Sequence, residues 1–435
     1  MDSIWTKHVE LPHYPALEGD IRTDVLIIGG GILGILCAYF LQENGVDYVL
    51  AEGSTICSGI TKNTTAKITS QHGLIYQKLL KNAGMEKASL YLKANQDAVK
   101  KYFELCKDAD CDFEEKTACV YSLDDRRKLE REAEALSQIG FQAQLLEDTE
   151  LPFPVAGALA FERQAQFHPL KFLAHVARNL KIYEHTFVKE LKENTAVTGT
   201  GSITFQKAVF ATHFPIDNKH GMYFLKLYQH RSYVISLDHA ADLKGMYVDE
   251  VMFGMSFRNY KDQLLVGGGD HRTGKNGGGW QELRNFANKY YPESAETGCW
   301  ATQDCMSLDG IPYIGRYSKG LKNCFVATGF NKWGITSSMT AAMLLADLIL
   351  EKKNPFEELF DPSRNMMKPQ LLLNGCEAAK NLLTISPKRC PHMGCALKWN
   401  GQEHSWDCPC HGSRFSEEGR LLDNPANGRA FWHNK

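Results

Sequence analysis

Charge of one sign is what this sequence has least of. Its 435 residues carry 49 Lys and Arg against 51 Asp and Glu, a net charge of -2. It therefore lacks the basic surplus that binding to nucleic acid or to an anionic membrane surface draws on, and neither partner is expected. Long apolar runs are also missing. The nearest candidate, Val25 to Leu41, is broken by Gly29, Gly30, Gly31 and Gly34 and falls short of the roughly 20 residues that a membrane span needs. The first residues, MDSIWTKHVELPHYP, hold no basic segment followed by an apolar one, so no secretory signal is expected and a cytoplasmic location follows. Paired cysteine spacing is absent from most of the chain. Cys37, Cys57, Cys106, Cys111, Cys119, Cys299, Cys305, Cys324 and Cys376 are scattered, which reads as reduced thiols filling core space and excludes a disulfide framework. Four more cysteines crowd between Cys390 and Cys410. The length suggests two or three domains.

The stretch from Asp24 to Glu52, DVLIIGGGILGILCAYFLQENGVDYVLAE, is the strongest positive signal. Asp24 to Ile28 is short, apolar and β-branched, Ile32 to Asn44 has helical spacing, and Val46 to Ala51 is apolar again, which predicts strand, helix, strand. Gly29, Gly31 and Gly34 fall at the first turn in the spacing G-x-G-x-x-G. The first allows a tight turn, the second lets the backbone approach a pyrophosphate, and the third lets the helix pack closely on the strand. The helix N-terminus can then face the phosphates. Glu52 ends the second strand, where an acid can accept hydrogen bonds from a ribose hydroxyl. This context makes a dinucleotide site the reading.

The loop after Glu52, GSTICSGITKNTTAKITSQHG, is too polar for core. Its hydroxyls and N–H groups suit cofactor phosphates and ring edges; Thr64, Thr65 and Lys67 are its candidates, and an ordinary surface loop is the alternative. Leu74 to Cys106 and Asp124 to Ile139 read as helices, the run DDRRKLEREAEA in the second predicting a solvated face. TAVTGTGSITF predicts a hairpin, and Lys207 to Thr212 a buried strand returning to a doubly wound sheet. From Leu225 to Gly269 apolar and polar residues alternate, which predicts an antiparallel, half-buried sheet able to cover a cofactor ring. Asp309 to Gly334 is glycine-rich around DGIPYIG and CFVATGFNKWGIT, and Thr336 to Leu350 reads as a helix. Gly329, Lys332 and Gly334, at its start, are further cofactor candidates. Free N–H groups and a positive helix end suit the negatively charged pyrimidine edge of a reduced flavin; a buried core helix is the alternative. Residues 351–385 read as a linker with no strand pattern, and Trp5 as a packing residue.

The last segment reads RCPHMGCALKWNGQEHSWDCPCHGSRF. Cys390 with His392, and Cys408 with His411, form two mixed pairs. Two loops that each supply a thiolate and an imidazole can hold a [2Fe-2S] cluster, cysteines on one iron and histidines on the other. Structural zinc accepts the same residue types but usually takes C-x-x-C from one element and paired histidines from another. Cys395 and Cys410 are left over, one in each loop.

C-P-H-M-G-C followed by C-P-C-H-G-S-R-F resembles a Rieske centre of the cytochrome-complex type. The preceding 350 or so residues resemble flavoproteins of the D-amino acid oxidase and glycine oxidase superfamily, most densely at GGGILG, TTAKITSQHG, DGIPYIG and ATGFNKWGIT. Together they look like bacterial FAD-dependent oxidoreductases with a C-terminal Rieske domain. The resemblance implies FAD as the dinucleotide, Cys390, His392, Cys408 and His411 as cluster ligands, and a disulfide between Cys395 and Cys410. Two departures stand out. Rieske domains have a base of several strands before the first ligand loop, which is truncated here. Phe415 also stands where high-potential members have a tyrosine that bonds a cluster thiolate, while Ser413 keeps its hydroxyl.

The expected fold is α/β. It has a Rossmann-type FAD-binding domain (parts about 20–75, 205–215 and 300–350) and an inserted antiparallel-sheet substrate domain (about 76–204 and 216–299), together 1–350. A linker (351–385) and a small all-β Rieske module (386–435) follow. The expected function is oxidation of a small amine or amino acid, with electrons passed singly through the cluster to an unidentified acceptor. Reverse flow from a donor, a non-catalytic redox sensor and an NAD enzyme with a zinc module are the alternatives. Arg231, Tyr233 and Arg258 alternate on candidate lid strands, where an arginine could hold a substrate carboxylate; each also fits a structural role.

Overall fold

A computed structural model describes residues 2–217 and 220–430; the end of the 386–435 module lies outside the described residues. The strand Ile21–Ile28 runs through the middle of the first sheet. Val25 and Ile27 join one apolar cluster, Leu26 and Ile28 another. A strand that is apolar on both faces must be covered on both, as in a doubly wound sheet. Tyr48–Ala51 and Ser202–Phe210 flank it in parallel, and Leu321–Thr328 lies parallel beyond the latter. Helices Ile32–Glu43 and Gly334–Ile349 pack together on this sheet, and the predicted hairpin pairs Thr195–Val197 with Ser202–Phe210.

The second sheet has nine strands among the described residues. Its spatial order is Ala295–Met306, Tyr228–Asp238, Gln263–Arg272, Ser256–Tyr260, Met246–Asp249, Glu114–Ser122, Gly157–Gln166 and Lys67–Ile68, with Gln144–Leu146 paired to the side. Pairing is antiparallel, as the alternation predicts, except between Met246–Asp249 and Glu114–Ser122. Lys67–Ile68 comes from the expected FAD-binding part, and Ala295–Met306 crosses the boundary drawn near residue 299. Pairing joins segments far apart in the chain, so bounds drawn from local pattern cut through this sheet.

Four short antiparallel strands, Lys398–Asn400, Ser405–Asp407, Arg414–Phe415 and Leu421–Asp423, make the third sheet. The stretch expected as a linker instead holds the helix Pro369–Leu383, with proline at its start. Its pattern misled because the helix buries Asn374 and Asn381 and exposes Leu372, Leu373 and Leu383. No helix among the described residues is long and apolar enough to cross a membrane.

Two further expectations change. The loop after Glu52 is not all surface: Thr69, Ser70, Gln71 and His72 are buried. Their polar groups are paired, as burial requires, with Ser70 N–H donating to Gln164 Oε1 at 2.8 Å and Gln71 Nε2 to the Leu159 carbonyl at 2.6 Å. In the helix Arg126–Gln138, Glu132 faces inward. Its carboxylate accepts from the N–H groups of Tyr76 (2.6 Å) and Gln77 (2.7 Å), at the start of the helix Tyr76–Leu105. These are donors that a helix cannot satisfy itself.

Replacing Glu132 by Ala should therefore cost about 1–3 kcal/mol, through the buried donors left unpaired, measured by denaturant unfolding. Burial pushes the Glu132 carboxyl up to about 7. The folded state then binds the proton more tightly than the unfolded chain, so the stability margin over Glu132→Gln should be largest below about pH 4.5 and shrink as the pH rises towards 7.

Candidate functional site

The turn after Ile28 is built for close backbone approach. Gly29 has φ +108°, and a Cβ there would meet the Ala211 carbonyl oxygen at 2.7 Å. A Cβ on Gly34 would stand 1.9 Å from the Gly29 carbonyl oxygen, so Gly34 is what lets the helix lie against the strand. Glu52 Oε2 accepts from Gly30 N–H at 2.6 Å and Oε1 from Ser54 N–H at 2.8 Å, while burial raises its pKa. Gly29, Gly31 and Glu52 line one end of a cavity of about 1070 Å³, just above the range of ordinary small-molecule sites, roughly 300–1,000 Å³. Thr64, Thr65 and Lys67 line it further on, as do Lys332 and Gly334. Trp5, a packing residue as expected, donates its indole N–H to the Thr64 carbonyl at 2.7 Å. Burial, with Arg258 nearby, pushes Lys67 down to about 7. Lys332 is ion-paired with Asp270 and donates to the Met252 carbonyl at 2.8 Å. Gly34 and Gly329 do not line the cavity; Gly329 makes a left-handed turn (φ +72°) packed on Ser307 and Leu227.

Of the three substrate candidates, Arg231 and Tyr233 meet at Glu403, and Arg258 stands apart on the cofactor loop. Arg258 is buried and donates to the carbonyls of Thr65 (2.8 Å) and Ala66 (2.7 Å), so it braces the cofactor loop from behind. Arg231 forms a two-pronged pair with Glu403 of the third-sheet module, Nε to Oε1 at 3.0 Å and Nη2 to Oε2. Both arginines thus bond protein acceptors, and neither lines the cavity. Tyr233 alone of the three lines the cavity; its hydroxyl donates to Glu403 Oε1 at 3.2 Å and bonds His271 Nε2 at 3.0 Å. Sequence could not reveal this, because Glu403 lies 172 positions from Arg231.

In the cysteine and histidine module, Cys390, Cys408, Cys395 and Cys410 are buried, and the last two are joined by a disulfide. The Cys408 thiol hydrogen-bonds the Cys390 sulfur. That contact, assisted by the N–H groups of His392 and Met393 and by Ser413, holds the Cys390 pKa below that of an ordinary thiol. The rings of His392 and His411 lie edge to face, centroids 4.9 Å apart. His411 Nε2 bonds the Phe224 carbonyl at 3.0 Å, while its Nδ1 is buried without a hydrogen-bond partner. Two adjoining thiols, two adjoining imidazoles and an orphaned ring nitrogen on one of them are the donor set a Rieske cluster uses, and the residues fit that group.

The module sits tightly on the second sheet. A Cβ on Gly412 would come 2.2 Å from Gln229 Cγ, and one on Gly274 would come 2.8 Å from Pro409. Gln303 Nε2 donates to the Gly412 carbonyl at 2.9 Å. Asn424 Nδ2 donates to the Phe214 carbonyl at 2.8 Å, and Leu421, Leu422, Asp423, Asn424 and Ala426 form part of the cavity wall itself.

A dinucleotide fold whose cavity wall is completed by a cysteine and histidine module defines an FAD-dependent oxidoreductase that carries a Rieske domain. The comparisons agree: the chain belongs to the FAD dependent oxidoreductase (DAO) family, which matches residues 24–348, and a Rieske [2Fe-2S] domain matches residues 366–432. It thus binds FAD and a [2Fe-2S] cluster. A Bacillus subtilis protein named as Rieske 2Fe-2S iron-sulfur protein YhfW is 33% identical over 489 residues, covering 98% of this chain and 96% of that one. The chloroplastic cytochrome b6-f iron-sulfur subunit of Oryza sativa is 43% identical over 51 residues, 12% of this chain and 23% of that protein. Glycine oxidase from Geobacillus kaustophilus shares the fold with a TM-score of 0.68 at 20% identity, over 79% of this chain and 99% of that one. The domain match begins at residue 366, so it takes in the helix Pro369–Leu383.

Arg231 and Arg414 both pair with Glu403 and, against the effect of burial, hold its carboxyl down at about 2. Glu403→Ala would leave two buried arginines short of a partner, a loss of about 3–5 kcal/mol. Limited proteolysis should then release the module. In the wild type the depressed pKa makes this attachment strongest above about pH 4.5 and progressively weaker as the pH falls towards 2.

Proposed function

We propose that this FAD-dependent oxidoreductase oxidises a small amine or amino acid and passes the electrons one at a time to a cluster held by Cys390, His392, Cys408 and His411. FAD supplies a two-electron acceptor when bound, and the cluster a one-electron carrier. The observation that carries the reading is the docking of the histidine edge of the module on the flavin domain. His411 Nε2 bonds the Phe224 carbonyl, and the Phe214 ring faces both histidines, with centroids 6.2 Å from His392 and 6.0 Å from His411. Phe214 follows Thr212 and His213, which line the cavity. The chain's own contacts thus hold the two redox sites in one unit, with no encounter step between them. Gly29, Gly31 and Glu52 are assigned to the dinucleotide, with Gly34 closing the turn behind it. Thr64, Thr65, Lys67, Lys332 and Gly334 are assigned to the flavin end, with Gly329 shaping the turn that leads to it.

Anaerobic mixing with an effective amine or amino acid should bleach the flavin and then reduce the cluster at a rate independent of protein concentration, followed by absorbance and electron paramagnetic resonance. A cluster that stays oxidised while the flavin is fully reduced would sink the reading.

The potential should also respond to Ser413. Its hydroxyl acts on Cys390 and accepts from Ala426 N–H at 3.0 Å. Donors to the sulfurs stabilise the extra negative charge of the reduced cluster. Ser413→Ala should therefore lower the potential by tens of millivolts, since about 59 mV for one electron corresponds to roughly 1.4 kcal/mol, the scale of one hydrogen bond. Phe415 is buried in the same apolar cluster as Cys390 and Cys408, so Phe415→Tyr should raise it. Protein-film voltammetry measures both shifts.

A further inference from the structure

The helix Pro369–Leu383 presents its apolar side to water. Leu372, Leu373, Cys376, Ala379 and Leu383 recur at intervals of three and four, the spacing that puts side chains on one face of a helix. All five are exposed, Leu372 by 74% and Leu383 by 82%, and Ile385 just past the helix is 98% exposed. Asn374, on the opposite side, is buried and accepts from Arg272 Nη1 at 3.1 Å. An amphipathic helix of a folded domain turns its apolar stripe to the core. One that leaves the stripe in solvent marks a surface where another molecule packs.

The stripe ends beside the first ligand loop of the cysteine and histidine module. Arg389, next to Cys390, donates to the Leu382 carbonyl at 3.3 Å, to the Thr384 carbonyl at 2.7 Å and to the Gly394 carbonyl at 2.6 Å. Ala396 N–H donates to the Asn381 carbonyl at 3.0 Å. The end of the helix is thereby fixed against the loop that carries His392. Of the four residues assigned to the cluster, Cys390, Cys408 and His411 are buried, while His392 is half-buried between Pro391 and Met393, which are exposed. This loop is where the ligand set opens to solvent, and Met393 brings the apolar surface up to it.

The same surface is basic, in a chain whose net charge is -2. Residues 362–402 carry Arg364, Lys368, Lys380, Lys388, Arg389 and Lys398 against one acid, Glu377. Arg364 is paired with Asp309, and Glu377 with Lys275. Lys368 at the start of the helix, Lys380 beside the stripe and Arg389 at its end set the sign of what surrounds the leucines. Two copies of the chain meeting here about a two-fold axis would bring these cations together, which opposes a dimer on this face. An acidic surface would be drawn in, and an apolar centre inside a charged rim suits a contact that forms fast and parts again.

We propose that the face formed by Leu372, Leu373, Leu383, Ile385 and Met393 docks a small acidic protein that carries a one-electron redox group, and that this protein is the acceptor for the cluster. This rests on the oxidoreductase reading above and supplies its electron partner. Each transfer moves one electron from the reduced centre to the carrier, with no bond made or broken, so two carriers discharge one reduced flavin.

The test uses the intact protein, with FAD and cluster content verified from its spectrum, and one probe in two forms. Native cytochrome c is basic; succinylated cytochrome c keeps its haem and is acidic. Binding is measured by calorimetry at low salt, and oxidation of the dithionite-reduced cluster by stopped-flow absorbance. The acidic form should bind, and oxidise the cluster, at least tenfold better than the native form, with the difference fading at high salt. Leu383→Asp and Lys380→Glu should each weaken that binding and slow that oxidation at least tenfold. Benzoquinone, small and uncharged, should oxidise the cluster of each variant as fast as that of the wild type. Equal binding of the two forms, binding of neither, or affinity untouched in Leu383→Asp would overturn the proposal. So would a wild-type dimer that Leu383→Asp splits in sedimentation, or binding to phosphatidylglycerol vesicles that Leu383→Asp abolishes, which give the face to a second copy or to a lipid surface. Failure of the oxidoreductase reading looks different: no amine and no amino acid reduces the flavin, while the chemically reduced cluster still passes electrons to the acidic probe.

Discussion

Glu403 is the hinge of this architecture in the energetic sense. One buried carboxylate satisfies Arg231 from the large sheet and Arg414 from the small module, and Arg414 also reaches Asp407 (3.0 Å) and Asp423 (2.9 Å). Buried charges are tolerated only when geometry and hydrogen bonding compensate the lost water. The network meets that condition only when the module is seated on the sheet. Arg231, Arg414 and Glu403 therefore specify one docked geometry rather than merely adding stability.

That geometry explains how so small a cluster module can exist. Its four strands are two or three residues long, too little sheet to stand alone. Where a longer base would support the ligand loops, the oxidoreductase does so. Gly412 and Gly274 allow backbone contact, Gln303 and Asn424 tie the loops down, and Phe224 receives the His411 ring nitrogen. The same docking makes residues of the module part of the cavity wall, so cofactor site and cluster site are built from one interface.

The cavity's charge distribution follows from the same constraint. Arg231 sits on a strand that lines the cavity through Ser232 and Tyr233, yet its charge is consumed by the module. Among the carboxylates of the cavity wall, Asp270 is ion-paired with Lys332. The ion pair that seats the module thus also keeps the Arg231 charge out of the cavity wall.

Much of this was legible in the chain itself. The strand, turn and helix around Gly29, Gly31 and Gly34 are local, because glycine spacing and apolar alternation act over a few residues, and the paired C-x-H and C-x-x-H loops carry their chemistry in adjacent positions. Helix Gly334–Ile349, the hairpin ending in Ser202–Phe210 and the antiparallel lid were likewise determined by short-range periodicity. What only the tertiary structure decided are the partnerships between distant residues. Glu132 caps another helix instead of facing water, and helix Pro369–Leu383 turns Asn374 inward because it finds Arg272 of the second sheet there. Arg231 meets Glu403, and Asp270 meets Lys332. Such pairings depend on where separate strands and loops come to rest, and an ionisable side chain's role is set by the charge it meets there.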